Sequence, residues 1–221
     1  MRKPVVAGNW KMHNTVQESI ELAKYIKDGI AGTEKTEIVL APPFTALYSV
    51  SAVIKDTKIS LASQNIFYED KGAYTGEVAP GMIKDAGCTY AIIGHSERRK
   101  YFYERDEDVN LKVKKALATG LTPIVCVGET EEERVKDVTE FVVGVQVKKA
   151  LFEINSLNNI VIAYEPVWAI GAGKVATPME AEEVHRFIRG VLSEMYGSAS
   201  TDIRILYGGS VKPGNVKDLV A

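Results

Sequence analysis

The chain has 221 residues, of which 46% are hydrophobic, and this composition supports a core in one large domain or two small ones. Lys and Arg number 27 against 29 Asp and Glu, so the net charge is −2, and no basic run is suited to nucleic acid or anionic lipid. The apolar segments fall short of the roughly 18 residues of a membrane span, and the first residues lack a signal peptide's apolar region. Composition and charge therefore predict a soluble, cytoplasmic protein whose partner is a small molecule.

Seven short apolar runs recur along the chain, each followed by a turn and a helical pattern. The runs are continuously apolar rather than alternating, which is typical of parallel strands covered on both faces. Helical periodicity is clear at 16–30, 109–117 and 138–152, and Thr177 followed by Pro178 predicts another helix start. The predicted strands lie at 4–8, 37–41, 59–63, 90–94, 122–128, 159–164 and 203–207.

Regular alternation of strand and helix predicts an α/β fold with a parallel sheet and right-handed crossovers. Such a sheet is either doubly wound or closed as a barrel. The units are similar in length and no run stands out as a polar or antiparallel edge, which favours the barrel. No Pro/Ser-rich linker divides the chain, so we expect a single (β/α)-barrel domain over 1–221.

Ionisable side chains follow three of the predicted strands at the point where each strand ends. Asn9 and Lys11 follow the first run, His95 and Glu97 follow the fourth, and Glu165 follows the sixth. In a parallel α/β fold the carboxyl ends of the strands share the face where ligands bind. A cation, an imidazole and a carboxylate converging there predict an acid-base site.

Each of these residues has a simpler explanation when it is considered alone. A lysine after a strand is usually a solvated surface residue, a single histidine is more often structural than catalytic, and a glutamate beside proline often belongs to a turn. Three ionisable groups at apolar strand ends weaken that explanation, because bulky flanking side chains would desolvate two of them. We therefore retain the catalytic interpretation.

Cys88 and Cys126 are isolated thiols without metal-ligand spacing. We expect both to be small buried apolar groups rather than a disulfide, and we expect no metal site.

The segment PVWAIGAGKVA at 166–176 matches a nucleotide-binding pattern only superficially. Gly171, Gly173 and Ala176 have the spacing of a dinucleotide fingerprint, but six residues separate the first glycine from the sixth run, so no tight strand-to-helix turn forms. A P-loop is also rejected, since Lys174 is not followed by Ser or Thr.

The same segment is better interpreted as a lid. Pro166 and Trp168 stiffen its start, Gly171 and Gly173 give it a flexible middle, and Ala176 lies at its end. Such a loop suits closure over a ligand and exclusion of water.

A second long connection, at 64–77, exceeds the usual length of a βα loop. It is either a decorated surface loop or an element that packs against another molecule. Phe67, Tyr68 and Tyr74 cluster in it, which favours burial against something, and another subunit is the candidate.

Seven motifs, in order and covering essentially the whole chain, together resemble the triosephosphate isomerase family. Any one of them would be weak evidence, but seven in register are highly specific. They are AGNWKMH at 7–13, APPFTAL at 41–47, GAYTGE at 72–77, IIGHSERR at 92–99, CVGET at 126–130, AYEPVWAIGAGK at 163–174 and ILYGGSVKPGN at 205–215.

The resemblance implies a TIM (β/α)8 barrel, a homodimer, no metal or organic cofactor, and an isomerase of glycolysis and gluconeogenesis. Its reaction interconverts dihydroxyacetone phosphate and D-glyceraldehyde 3-phosphate through an enediolate. The resemblance implies that Glu165 is the base and that His95 is a neutral imidazole polarising the carbonyl, as in a standard example of tuned acid-base chemistry. It implies that Lys11 attracts the phosphate and stabilises enediolate charge beside Asn9, and that Glu97 supports this network.

The resemblance also implies how the rest of the substrate is held. Closure of the lid would bring the Gly171 amide to the phosphate, and Ser210 with the neighbouring Gly209 amide would complete the anion cradle. The 64–77 loop would dock beside the partner subunit, with Thr75 and Tyr74 at that contact.

The pattern departs from the family at one point. It supplies seven strands where the family has eight, and we expect the eighth β/α unit to be absent, with the first and seventh strands left unpaired at their edges. An alternative to the active isomerase is therefore an inactive open-barrel fragment or a phosphate-binding remnant. A third interpretation is another phosphosugar enzyme on the same barrel.

Overall fold

The computed structural model describes residues 2–30, 32, 35–170 and 175–219. Within it the chain divides into two compact units. The first comprises Met1–Ile93 and Leu111–Ile124, and the second comprises Gly94–Asn110 and Val125–Ala221. The assignment of 1–221 to one domain stays a prediction.

The seven predicted strands are confirmed, with small differences at their ends. The fourth strand stops before Gly94, whose φ of +76° leaves the extended region. The sixth starts later than predicted, because Asn159 adopts a turn conformation with φ 59°. The strands are β1 (Val5–Asn9), β2 (Glu37–Ala41), β3 (Ile59–Ser63), β4 (Tyr90–Ile93), β5 (Thr122–Val127), β6 (Val161–Tyr164) and β7 (Arg204–Tyr207).

Helices follow the strands, as the alternation predicts. In the described part of the chain none of them is long and apolar enough to cross a membrane. The helices are α1 (Val16–Gly29), α2 (Leu47–Ile54), α3 (Pro80–Asp85), α4 (Ser96–Phe102), α5 (Asp106–Thr119), α6 (Glu131–Val135), α7 (Thr139–Ala150), α8 (Pro178–Tyr196) and α9 (Val216–Leu219).

Strand order follows chain order, and the strand pairs are parallel. In the first unit β1, β2, β3 and β4 are successive neighbours, and β1 pairs with β2 so that Asn9 lies opposite Ala41. In the second unit β6 pairs with β7, and Tyr164 lies opposite Tyr207. Residues that directly follow two paired strands therefore lie side by side at their carboxyl ends.

Each unit has its own apolar interior. In the first, the fully buried side chains include Leu61, Ile66 and Ile83, and in the second they include Ile162 and Leu192. β4 and β6 are buried along their whole length, as continuous apolar runs predict. β1 is an exception: it lies at an end of the strand order, and its Val6 is 56% exposed.

Both cysteines are buried and neither forms a disulfide, as predicted. Burial raises the pKa of the Cys88 thiol to about 12. It also raises the pKa of the Cys126 thiol well above its ordinary value, and the nearby Glu165 carboxylate raises it further.

The start of α8 forms the cap that the sequence predicts. The Thr177 hydroxyl oxygen accepts from the Glu180 N–H at 3.2 Å, and the Glu180 carboxylate accepts from the Thr177 N–H at 2.8 Å. The Thr177 N–H, and secondarily its hydroxyl and Arg134, hold the pKa of the Glu180 carboxyl below 4.5.

Replacing Thr177 with alanine should lower the free energy of unfolding at neutral pH by about 1 kcal/mol, because the Glu180 N–H at the start of α8 loses its partner and the Glu180 carboxylate loses the hydroxyl donor. The carboxylate of Glu180 stabilises the fold fully above its unfolded pKa, and this contribution is lost as the pH falls through the lower folded value. Urea denaturation should therefore give a smaller difference between variant and wild type in acid than at neutral pH.

The matched control is Thr201→Ala. Thr201 is exposed and its hydroxyl donates to Ser198 in a short turn rather than capping α8, so its effect should stay within about 0.5 kcal/mol. Equal effects of the two substitutions would contradict the capping account.

Candidate functional site

The first turn of α4 positions His95. His95 is the capping residue of this helix, and its carbonyl accepts from the backbone N–H groups of Arg98 and Arg99 at 2.8 and 3.1 Å. The extended conformation of the cap, with ψ 140°, turns the chain from strand into helix within one residue. The His95 side chain is 9% exposed, so its polar atoms depend on protein partners.

The Glu165 carboxylate lies against this first turn. Its Oε2 accepts from the Ser96 N–H at 2.9 Å, and its Oε1 lies 3.1 Å from His95 Nε2. Only 6% of the Glu165 side chain is exposed. Two of the predicted catalytic residues are therefore in direct contact, in a place from which bulk water is largely excluded.

Hydrogen bonding fixes which nitrogen of His95 carries the proton. Nδ1 accepts from the backbone N–H of Glu97 at 3.2 Å, so Nδ1 is unprotonated. The proton of a neutral imidazole is then on Nε2, the nitrogen that faces Glu165. The Glu97 carboxylate is 3.6 Å from Nδ1 and is 40% exposed, so this predicted residue lies beside the site rather than within it.

Gly94 is held by a pair of side chains behind His95. Its N–H donates to the buried Glu104 carboxylate at 3.0 Å, and its carbonyl accepts from Arg99 Nε at 2.8 Å. Arg99 in turn is 2.6 Å from Asp106. These contacts keep Gly94 in its left-handed conformation and so fix the peptide that carries His95.

A hydrogen bond and close packing hold the backbone of Glu165, which directly follows β6. Its N–H donates to the Val127 carbonyl at 2.7 Å. A Cβ on Gly208 would lie 2.8 Å from Glu165 Cγ, and a Cβ on Gly128 would overlap the Glu165 carbonyl oxygen. Glycine is required at both positions because the Glu165 side chain and backbone pack directly against them.

The fully buried Glu129 forms hydrogen bonds that hold the start of the predicted lid. Its Oε1 accepts from Tyr164 at 3.1 Å and from Trp168 Nε1 at 2.8 Å. Burial, and secondarily this carboxylate, raises the pKa of the Tyr164 hydroxyl. Arg134 lies 5.3 Å over the Trp168 ring and 3.7 Å from Glu129, which adds charge compensation to this cluster.

The described parts of the predicted lid are its two ends. Pro166 precedes a short 3-10 turn at Val167–Ala169, and Ala176 is buried just before α8. The predicted contacts of Gly171 and Gly173 lie outside the described residues.

The loop after β7 contacts the start of the predicted lid through Ser210. The Ser210 hydroxyl donates to the Ala169 carbonyl at 3.0 Å, and the Asn215 side chain donates to the Ser210 carbonyl at 3.0 Å. A Cβ on Gly209 would overlap the Tyr207 hydroxyl, so a larger residue there would displace the Tyr207 side chain. Ser210 and Gly209 thus lie in a turn that contacts Ala169, near the end of the first described part of the predicted lid.

Asn9 and Lys11 belong to the first unit, at the end of β1. Lys11 has φ 54°, an uncommon conformation for a non-glycine residue. Its N–H donates to Asn9 Oδ1 at 3.0 Å, and its carbonyl accepts from Gln64 Nε2 at 2.8 Å. Strained backbone held by surrounding bonds is typical of functional positions.

The aromatic residues of the 64–77 loop contact one another. The Phe67 ring centroid is 4.2 Å from that of Tyr68 and 4.6 Å from that of Tyr74. Tyr74 is still 44% exposed, and Thr75 beside it is exposed. This cluster presents an aromatic edge at the surface of the first unit.

Three contacts of the predicted residues were missed by the sequence reasoning. Ser96 acts through its backbone N–H, which has no sequence signature. Glu129 follows β5 at the strand end and could have been found by the rule that selected Glu165. Gln64 follows β3 in the same way and bonds the carbonyls of Lys11 and Ala41. Among the residues with described positions, no group of three or more His, Cys, Asp or Glu is placed to hold a metal ion.

Known proteins resemble the chain along nearly its whole length. A family model described as triosephosphate isomerase matches residues 4–221. The chain is 54% identical to the triosephosphate isomerase of Endomicrobium trichonymphae, over 100% of this chain and 89% of that protein. It is 53% identical to that of Pelobacter propionicus, with the same coverage.

The fold comparison agrees. The crystal structure of triosephosphate isomerase from Bartonella henselae matches with a TM-score of 0.91 and 39% identity, over 99% of this chain and 88% of that chain. The predicted TIM (β/α)-barrel fold class is thereby confirmed. With this fold and a family match over residues 4–221, the chain belongs to the triosephosphate isomerase family.

Proposed function

We propose that this chain interconverts dihydroxyacetone phosphate and D-glyceraldehyde 3-phosphate by proton transfer through an enediolate. The observation that carries the proposal is the buried contact between His95 Nε2 and the Glu165 carboxylate, at 3.1 Å, in a chain of this family. Removing a proton next to a carbonyl needs a base and a donor to the developing oxyanion. These two side chains are of those two types, and acid-base chemistry of this kind needs no metal or organic cofactor.

Glu165 is the proposed base that moves a proton between the two substrate carbons. Its carboxylate accepts from the Ser96 N–H, bonds the Cys126 thiol and lies 3.1 Å from His95 Nε2. A substrate that takes over the His95 proton would leave one carboxylate oxygen available to the substrate carbon. Low exposure of the side chain strengthens these electrostatic interactions.

His95 is the proposed hydrogen-bond donor to the substrate oxygens. Because its Nδ1 accepts the Glu97 N–H, its Nε2 proton faces Glu165 and would face a carbonyl bound in that position. A preorganised donor of this kind typically contributes ~10²–10³-fold in rate. The Glu97 side chain is proposed to support this network.

Lys11 is proposed to attract the substrate phosphate and to stabilise enediolate charge, with Asn9 beside it. The left-handed backbone of Lys11, held by Asn9 and Gln64, supports this role. The phosphate is further proposed to bind amides at Gly171 and Gly209 and the turn at Ser210. The lid at 166–176, including Pro166, Trp168, Gly173 and Ala176, is proposed to close and exclude water.

We further propose that the protein is a cytoplasmic homodimer. The exposed aromatic edge at Tyr74, with Thr75, is the proposed contact with the partner subunit. Aromatic residues are enriched at such interfaces.

Glu165→Asp should lower kcat for glyceraldehyde 3-phosphate about 100-fold, because it withdraws the carboxylate by roughly 1 Å. Glu165→Gln removes the base and should lower kcat by ~10²–10⁴-fold. A coupled turnover assay measures both.

Glu183→Gln is the matched control, since Glu183 is an exposed residue of α8, and its kcat should equal that of wild type. Background turnover by the wild-type chain would overturn the proposed function and leave the inactive fragment or phosphate-binding remnant in its place. Wild-type kcat in Glu165→Gln would overturn the role of Glu165 alone.

Lys11→Met should reduce kcat/KM by ~10²–10³-fold, because a charged donor to the phosphate and enediolate is lost. Lys24→Met, at an exposed position of α1, is the control and should behave as wild type. Initial rates at increasing salt provide a second measurement: salt should reduce kcat/KM of the wild type more than that of Lys11→Met. Equal salt dependence would contradict the proposed attraction.

The double substitution Tyr74→Arg, Thr75→Arg should shift sedimentation toward monomer and lower activity, because it places two charges in the proposed interface. Tyr25→Arg is the control, since Tyr25 is a 78% exposed tyrosine on α1, outside the 64–77 loop. A dimer that persists unchanged at low micromolar concentration in the double variant would count against this interface.

A further inference from the structure

The side chain of Gln146 bonds both backbone polar groups of Gly128. Gln146 lies on α7 and is half-buried. Its Oε1 accepts from the Gly128 N–H at 2.7 Å, and its Nε2 donates to the Gly128 carbonyl at 3.1 Å. A carboxamide can make both bonds at once because it carries a donor and an acceptor side by side.

Gly128 directly follows the last residue of β5. The carbonyls on either side of it, those of Val127 and Glu129, accept from the N–H groups of Glu165 and Val167 at 2.7 and 3.1 Å. Backbone hydrogen bonds between the β5 and β6 segments thus continue beyond the ends of both strands. The N–H and carbonyl of Gly128 are bonded instead by Gln146.

Gly128 also touches the backbone of Glu165 directly. A Cβ on Gly128 would overlap the Glu165 carbonyl oxygen and lie 2.6 Å from its carbonyl carbon. The Glu165 backbone therefore packs directly against Gly128, so a displacement of Gly128 displaces the Glu165 backbone too. Packing at this density transmits a shift rather than absorbing it.

We propose that Gln146 is a positioning residue for Glu165, acting through Gly128. The amide of Gln146 fixes both peptide groups of Gly128, and Gly128 with its neighbours fixes the Glu165 backbone. This inference rests on the proposed function, in which Glu165 is the base. Proton transfer is sensitive to such placement, since a misplacement of about 1 Å costs roughly 100-fold in rate.

The test is Gln146→Met, which keeps the length of the side chain and removes both hydrogen bonds. We expect kcat to fall between about 10-fold and 100-fold, as is usual for residues that orient a reacting group. KM for glyceraldehyde 3-phosphate and the inhibition constant of inorganic phosphate should change less than about twofold, because phosphate binding does not involve Glu165. A merely structural role would reduce the active fraction without this separation of kcat from binding.

The matched control is Gln17→Met. Gln17 lies on α1 and its amide donates to Glu21 at 2.9 Å on the surface, so the same chemical change there should leave kcat unaltered. Gln146→Glu is the second variant: it keeps an acceptor for the Gly128 N–H and removes the donor to the carbonyl. Its kcat should lie between those of wild type and Gln146→Met, and it decides the question if the methionine variant does not fold.

Amide hydrogen exchange gives a readout that does not depend on activity. Exchange at Gly128 and Glu165 should be faster in Gln146→Met than in wild type and unchanged in Gln17→Met. Wild-type kcat in the folded Gln146 variants would overturn the inference. Turnover by the wild type at only the background rate would overturn the proposed function instead. In that case, unchanged exchange rates in Gln146→Met would overturn the inference separately.

Discussion

A buried carboxylate is the constraint on which the second unit depends. Glu165 is almost fully buried, and an ionised group in that position is tolerable only if protein donors replace its water. The Ser96 N–H donates to the carboxylate, the Cys126 thiol bonds it, and His95 Nε2 lies 3.1 Å away at the start of the first turn of α4. The conformation of that turn, the tautomer of His95 and the end of β6 must therefore agree with one another to within a hydrogen bond's tolerance.

Three glycines make this agreement sterically possible. Gly94 supplies the positive φ that directs the chain into α4, while Gly128 and Gly208 allow the backbone and side chain of Glu165 to approach closely. A layer of polar side chains behind the site keeps two of these glycines in place. Arg99 holds the carbonyl of Gly94, and Gln146 holds both polar groups of Gly128.

Polar side chains also hold an unusual backbone conformation in the first unit, there at a lysine instead of a glycine. Lys11 adopts a left-handed backbone that lysine seldom adopts, and Asn9 and Gln64 bond its N–H and carbonyl. Near the lid, Glu129 bonds Trp168 and Ser210 bonds Ala169. In each case a polar side chain at or after a strand end holds a segment that has left regular structure, through its backbone at Lys11 and Ala169 and through a side chain at Trp168.

Sequence by itself determined the strands, the strand-end positions of Lys11, His95 and Glu165, and the family. These features are local, because continuous apolar runs, strand-end polar residues and motif spacing are all properties of neighbouring positions. Tertiary structure alone decided that a backbone N–H at Ser96 binds Glu165 and that Gln146 bonds Gly128. A main-chain donor has no residue signature, and a half-buried glutamine on a helix resembles any surface glutamine until the strand end that it bonds is packed against it.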